Sequence, residues 1–132
     1  MSKIVTIFKN IKETNTPFHK DVLFILDRIK NGTNKELIKK IRKTADKGQR
    51  NELKKNLPAI CFSGKFSKRN SESIIEHSGL LCLDFDGYSS TKDMLQDKER
   101  FCKDNYVYSC FVSPSGNGLK STCRCRQSRE LF

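Results

Sequence analysis

The order of apolar and polar positions predicts strands and helices that alternate along the chain. Apolar runs rich in β-branched or aromatic residues predict strands over 3–8, 57–62, 80–86 and 106–112. Apolar residues spaced three or four apart predict helices over about 17–31, 33–45 and 91–103, and one helical turn is expected within 71–77. This mixture of elements is typical of an α+β or α/β domain.

Turn and capping residues set the predicted boundaries. Thr16 is expected to cap the first helix with Pro17 at its first position, and Gly48 to close the second helix. The segment 63–70 is expected to be a polar loop. After Lys120 the pattern stops, because residues 121–132 lack alternation and almost lack aliphatic side chains. We therefore predict a domain over 1–120 and an anomalous tail over 121–132, as in a truncated or frame-shifted chain.

Length, hydropathy and charge narrow the class of protein. The chain has 132 residues, 36% of them hydrophobic and 31% charged, which fits one modest soluble domain. It has no apolar run long enough to span a bilayer and no signal-peptide pattern, so we expect a cytoplasmic protein without a membrane partner. Its six cysteines include no Cys-x-x-Cys pair, which disfavours a structural zinc site.

The positive charge is concentrated in the first half of the chain. The formal net charge is +11, and residues 1–60 carry fifteen Lys and Arg against six Asp and Glu. Such a surplus indicates attraction to a polyanion such as nucleic acid, although a solvated lysine-rich surface has the same composition. The candidate nucleic-acid-binding residues lie on the second predicted helix and in the 63–70 loop: Lys39, Lys40, Arg42, Lys43, Lys65, Lys68 and Arg69.

Two carboxylates end the most apolar predicted strand. Asp84 and Asp86 are two residues apart, so they point to the same face of a strand, about 7 Å apart along it. Paired oxygen ligands of this kind suit Mg²⁺ or Mn²⁺ delivered with a nucleotide. The alternative is that the two residues only begin a turn at Gly87, since Asp-Gly is a turn signal.

A glycine-bearing segment follows the next predicted strand. Within 113–120, Gly116 and Gly118 allow backbone N–H groups to approach an anion, and Lys120 supplies a positive charge for phosphate. Ser113 and Ser115 can donate hydroxyl hydrogen bonds to the same phosphate. An ordinary hairpin loop would have a similar composition. Together with the carboxylates, the segment predicts a nucleotide site.

Three segments, 56–66, 77–86 and 111–120, together resemble the VirE-type N-terminal domain, a primase-polymerase branch of the archaeo-eukaryotic primase superfamily. The resemblance covers about 20–120. It implies an α+β, RRM-like core with a mainly antiparallel sheet and flanking helices, incomplete at the C-terminus. It also implies that Asp84 and Asp86 bind the catalytic metals and that the 113–120 segment binds the incoming nucleotide. Implied partners are a single-stranded DNA template, nucleoside triphosphates and a replicative helicase.

The resemblance implies an N-terminal fragment of a DNA primase/polymerase, with metal-dependent nucleotidyl transfer in DNA replication. Two departures leave open whether this chain alone is an active enzyme: Lys120 stands where much of the superfamily has a histidine, and no third acidic strand residue follows. One alternative is a non-catalytic nucleic-acid-binding remnant. Another is a haloacid-dehalogenase-type phosphatase, since 83–87 is similar to the opening motif of that family, with Asp84 as nucleophile and Asp86 as acid/base.

Overall fold

The computed structural model describes residues 3–125. Internal contacts divide the chain into two compact units, Met1–Ser78 and Gly79–Phe132. Within the described residues the fold is α+β, with mainly antiparallel sheets and four α-helices, so the predicted fold class is confirmed at this level. The RRM-like core implied by the resemblance is not confirmed. None of the helices in 3–125 has the length and apolar character that a membrane span requires.

In the first unit, residues 3–78 form two small antiparallel sheets and three α-helices. A three-stranded sheet has the order β2-β1-β3, and β4 pairs with β5 after a single 3₁₀ turn at Ser71–Ser73. The strands are β1 Ile4–Phe8, β2 Phe18–Asp21, β3 Ala59–Cys61, β4 Gly64–Phe66 and β5 Ile74–His77. The helices are α1 Val22–Lys30, α2 Lys35–Lys43 and α3 Lys47–Lys54.

The core of this unit is centred on β1. Val5 and Phe8 are fully buried, as is Ile41 on α2. Thr6 is also fully buried, and its hydroxyl donates to the Gly64 carbonyl at 3.0 Å while accepting from the Phe66 N–H at 2.9 Å. A single side chain therefore supplies hydrogen bonds between β1 and β4, in place of a backbone ladder.

Over residues 79–125, which are the described part of the second unit, the chain forms a three-stranded antiparallel sheet with one helix. The elements are β6 Leu80–Phe85, α4 Thr91–Cys102, β7 Val107–Val112 and β8 Leu119–Arg124, and the sheet order is β6-β8-β7. Helix α4 begins at a Ser90 cap and packs on the sheet face that carries Phe85, whose ring centroid is 4.9 Å from that of Phe101. Asp84 alternates with Phe85, so it projects from the opposite face.

The predicted start of the first helix is wrong. Residues 18–21 form β2, which pairs with β1, and α1 is capped by Asp21, whose carboxylate accepts the Leu23 N–H at 2.9 Å. The predicted role of Gly48 is also wrong, because this residue lies inside α3. That helix is capped by Asp46, which accepts the Gln49 N–H at 2.8 Å.

Three strand regions differ from the predicted pattern. Gly64–Phe66 is a strand rather than loop, and Ile74–His77 is a strand rather than a helical turn. The strand pattern was expected to stop at Lys120, whereas β8 continues through Arg124 as the middle strand. Residues 126–132 of the predicted tail lie outside the described residues, and truncation or a frame shift stays a prediction.

Candidate functional site

The second unit brings the two predicted carboxylates and the predicted lysine to one end of one sheet face. Asp84 pairs with Lys120 across β6 and β8, and the Lys120 Nζ lies 2.9 Å from the Asp84 Oδ1. Asp86 follows β6 directly, and its Oδ1 lies beside Gly118. The antiparallel register therefore assembles Asp84, Asp86, Gly118 and Lys120 as neighbours.

Gly118 has no room for a side chain. A Cβ at this position would lie 2.8 Å from the Asp86 Oδ1, 2.9 Å from the Phe85 carbonyl oxygen and 3.2 Å from the Ser113 Oγ. The backbone carbonyl cannot move aside as a flexible side chain could. The absence of a Cβ therefore lets the Asp86 carboxylate lie directly against the β8 backbone, close to the buried Ser113.

The segment between β7 and β8 is a closed hairpin turn. The Ser113 N–H donates to the Gly118 carbonyl at 2.8 Å, and the Gly116 N–H donates to the Ser113 carbonyl at 2.9 Å. Gly116 has φ +83°, a conformation that favours glycine. Because the turn itself uses the Gly116 N–H, this group does not form part of the predicted anion nest. Lys120 remains the main positive charge beside the carboxylates.

Asp84 and Asp86 are both accessible to solvent. The exposed Asp84–Lys120 ion pair contributes at most about 1 kcal/mol to stability, so a dissolved cation can compete with the ammonium group for Asp84. Within 3–125 no group of three or more His, Cys, Asp or Glu side chains could hold a metal ion. Two carboxylates nevertheless fit Mg²⁺, which usually keeps several waters and takes its remaining ligands from substrate phosphates.

Tyr88 is a residue that the sequence analysis missed. Its backbone N–H donates to the Asn117 carbonyl at 3.1 Å, which attaches the segment after Asp86 to the hairpin turn. Its hydroxyl donates to the Asp97 Oδ2 on α4 at 2.7 Å. Tyr88 therefore connects three parts of the unit around the carboxylates. Its position just after the Asp-Gly pair was the only available signal in the sequence.

The Tyr88–Asp97 hydrogen bond predicts an alkaline transition that Tyr88→Phe removes. The bond to Asp97 and burial raise the pKa of Tyr88 from 10.0 to about 12. Because the folded-state pKa is the higher one, the stabilisation is complete below about pH 10 and is lost as pH rises through about 12. We expect the denaturant midpoint of the wild type to fall more steeply over this range than that of Tyr88→Phe. The same dependence of the denaturant midpoint on pH in the wild type and in Tyr88→Phe would contradict the hydrogen bond to Asp97.

The predicted nucleic-acid-binding residues all belong to the first unit. On α2, Lys39, Lys40, Arg42 and Lys43 are exposed. Lys65 lies on β4, with Lys68 and Arg69 in the loop that follows. The guanidinium of Arg69 donates to the Ile11 carbonyl at 2.6 Å, and its backbone N–H donates to the Thr14 carbonyl at 3.0 Å. Arg69 therefore attaches this loop to the 11–14 segment, while nucleic-acid contact by the seven residues stays a prediction.

Comparison with known families corrects the resemblance proposed from the sequence. The matching family model is the BT4734-like N-terminal domain, over residues 52–131, which include both carboxylates and Lys120. This is a different family from the VirE-type domain, and no evidence supports membership of the primase superfamily. No curated protein and no solved structure matches the chain. Because the matched residues make up more than half of its length, the chain belongs to the BT4734-like N-terminal domain family.

Proposed function

We propose that the second unit binds a nucleoside triphosphate together with Mg²⁺ or Mn²⁺ and performs metal-dependent nucleotidyl transfer. The observation that carries the proposal is the placement of Asp84, Asp86 and Lys120 at one end of one sheet face, with the Lys120 Nζ 2.9 Å from the Asp84 Oδ1. Asp86 lies against the bare backbone of Gly118. The proposal rests on this geometry and not on a relationship to primases.

Each residue has a separate task in this proposal. Asp84 and Asp86 hold the cation, which when bound polarises a phosphoryl oxygen and neutralises developing charge. Lys120 is paired with Asp84 in the structure, and its ammonium group would contact the triphosphate of a bound nucleotide. Gly118, which directly precedes β8, leaves room for the Asp86 carboxylate because it has no Cβ. The Tyr88 backbone N–H donates to the Asn117 carbonyl, and this hydrogen bond holds the segment after Asp86 against the hairpin turn.

A polynucleotide is the proposed acceptor. The first sixty residues carry nine more basic than acidic side chains, which favours binding of a polyanion. A single-stranded DNA template would supply this polyanion, and the 3′-hydroxyl of a primer paired to it would attack the α-phosphate, with pyrophosphate as the leaving group. The charge surplus supports a nucleic-acid partner.

The proposal is tested by fluorescence anisotropy with a labelled nucleoside triphosphate, in Mn²⁺, in Mg²⁺ and in a chelator. We expect binding with either cation and a loss of at least tenfold in affinity with the chelator. Extension of a labelled primer on a single-stranded template then tests the transfer step. Equal affinity with and without a divalent cation, or no binding in Mn²⁺, would refute the nucleotide site.

The same assays separate the two alternatives. A nucleic-acid-binding remnant would hold single strands but neither bind triphosphate through a cation nor extend a primer. A phosphatase would release phosphate from small esters through an aspartyl-phosphate on Asp84. Mass spectrometry after rapid quenching would detect that covalent species. Its presence would mean that the protein is a phosphatase and not a nucleotidyltransferase.

A further inference from the structure

An exposed aromatic ring on α1 lies between two cations. The Phe24 side chain is 47% exposed. The Lys20 Nζ is 5.3 Å from its ring centroid, and the Arg28 Cζ is 5.7 Å from it. Both distances are within the range of a cation–π interaction, so the two positive charges lie over the ring rather than extended into solvent.

A second exposed ring lies on the same surface. Phe18 is 52% exposed and stands two residues before Lys20 on the edge strand β2. Side chains two residues apart share a strand face, at about 7 Å. Lys20 therefore shares a strand face with the exposed Phe18 and places its ammonium group over the exposed Phe24 ring. We call Phe18, Lys20, Phe24 and Arg28 the Phe24 surface.

We propose that the Phe24 surface binds single-stranded nucleic acid. Unpaired bases would stack on the rings of Phe18 and Phe24, and Lys20 and Arg28 would move from the Phe24 ring to the adjoining phosphates. Alternating rings and cations match the alternation of base and phosphate along a single strand. None of these four residues is among the basic residues predicted from the sequence. The proposal does not rest on the nucleotidyl transfer proposed above, because it requires neither Asp84 nor a divalent cation.

The composition of the surface favours a nucleic acid over a lipid bilayer. A helix that binds a membrane surface needs a broad apolar face. Helix α1 has nine residues, and the exposed carboxylate of Asp27 lies between Phe24 and Arg28 in the sequence. Planar rings bracketed by cations, in a chain segment with a surplus of nine positive charges, complement a flexible polyanion with planar bases.

The test is fluorescence anisotropy with a labelled oligothymidylate, in a chelator and without nucleotide, on the full chain. The variants Phe24→Leu and Phe18→Leu keep an apolar side chain but remove the stacking face. Leu23→Ala is the matched control, because Leu23 is 57% exposed and adjacent to Phe24 but is not aromatic. We expect each Phe→Leu variant to weaken binding by roughly 5- to 100-fold, the range for one stacking side chain. The control should bind like the wild type.

The dependence of binding affinity on salt concentration distinguishes the loss of a phosphate contact from a folding defect. Lys20→Gln and Arg28→Gln should each reduce the slope of log affinity against log salt by about 0.7, while Phe24→Leu leaves that slope unchanged. No binding by the wild type, or equal losses for Phe24→Leu and Leu23→Ala, would overturn the proposal. So would wild-type binding to anionic vesicles that competes with the oligonucleotide and is lost in Leu23→Ala, because that result would assign the surface to a membrane.

Discussion

Asp84→Asn is expected to abolish the proposed cation-dependent binding of nucleoside triphosphate, and so is Asp86→Asn. An amide keeps the size of the carboxylate but loses the negative charge that a divalent cation requires. In metal proteins, removing a residue that only hydrogen-bonds to a metal ligand weakens metal affinity by roughly 10- to 100-fold. Losing one of the two direct ligands should therefore weaken the affinity by more than about 100-fold. The measurement is anisotropy of a labelled triphosphate titrated with Mn²⁺.

Both variants should remain folded. Asp84→Asn loses only an exposed ion pair worth at most about 1 kcal/mol, and Asp86→Asn removes the repulsion between two nearby carboxylates. Glu99→Gln is the matched control, because it removes one negative charge from α4, which packs on the opposite face of the sheet. Wild-type affinity and Mn²⁺ dependence in either Asp variant would show that the carboxylates do not form the site.

Gly64→Ala should destabilise the first unit by roughly 3 kcal/mol, at the upper end of overpacking costs. A Cβ on Gly64 would overlap the Glu76 carbonyl oxygen and lie 3.0 Å from the His77 Cα, both backbone atoms of β5. These atoms cannot rotate away, so the β4–β5 pairing must open. Denaturant unfolding gives the change in free energy, and faster amide exchange over 64–77 would locate it.

Gly48→Ala provides the comparison for the same chemical change. Gly48 is exposed in α3, where an added Cβ would meet only the Asp46 carboxylate, at 3.2 Å. The gain in helix propensity, about 1 kcal/mol, offsets any displacement of that capping side chain. The expected net change is therefore within about 1 kcal/mol of zero. A Gly64→Ala variant as stable as Gly48→Ala would mean that β4 and β5 are farther apart than the structure shows.

The sequence predicted elements well where apolar periodicity was strong. The strand Ile4–Phe8 and the helix Thr91–Cys102 lie close to their expected bounds, because a buried side of each element left a regular apolar pattern. Helix α3 was missed because Leu53 is its only large apolar residue and Gly48 was interpreted as a terminator. The β4–β5 pair was missed because each strand has only three or four residues.

The middle strand of the second unit shows why the rest could not be predicted. In β8, Ser121 and Thr122 are 1% and 0% exposed, so polar side chains occupy core positions. Their hydroxyls bond within the sheet: the Thr122 Oγ1 lies 2.5 Å from the Ser109 Oγ, and the Ser121 Oγ donates to the Ser109 carbonyl at 3.3 Å. Hydrophobic periodicity cannot reveal a strand whose buried groups are satisfied by one another.

The sequence predicts which residues form the candidate site, but it does not predict that Lys120 pairs with Asp84. The two-residue spacing of Asp84 and Asp86 predicted their common face, and the glycines predicted the turn. That Lys120 would stand directly opposite Asp84 depends on the register of β6 with β8, which involves the strand that was missed. The hydrogen bond of Tyr88 to Asp97 depends on how α4 packs, and a local sequence pattern gives no information on that packing.

In the Asp84–Lys120 pair, the lysine ammonium group neutralises the charge of the carboxylate without a bound cation. Metal sites built only from acids often fold when the ion arrives, because the bare carboxylates repel one another. Here the ammonium group of Lys120 already offsets that repulsion, at 2.9 Å from the Asp84 Oδ1. The hairpin therefore forms with this ion pair in place, and a cation at the proposed site would exchange with the Lys120 ammonium group on Asp84 rather than create the fold.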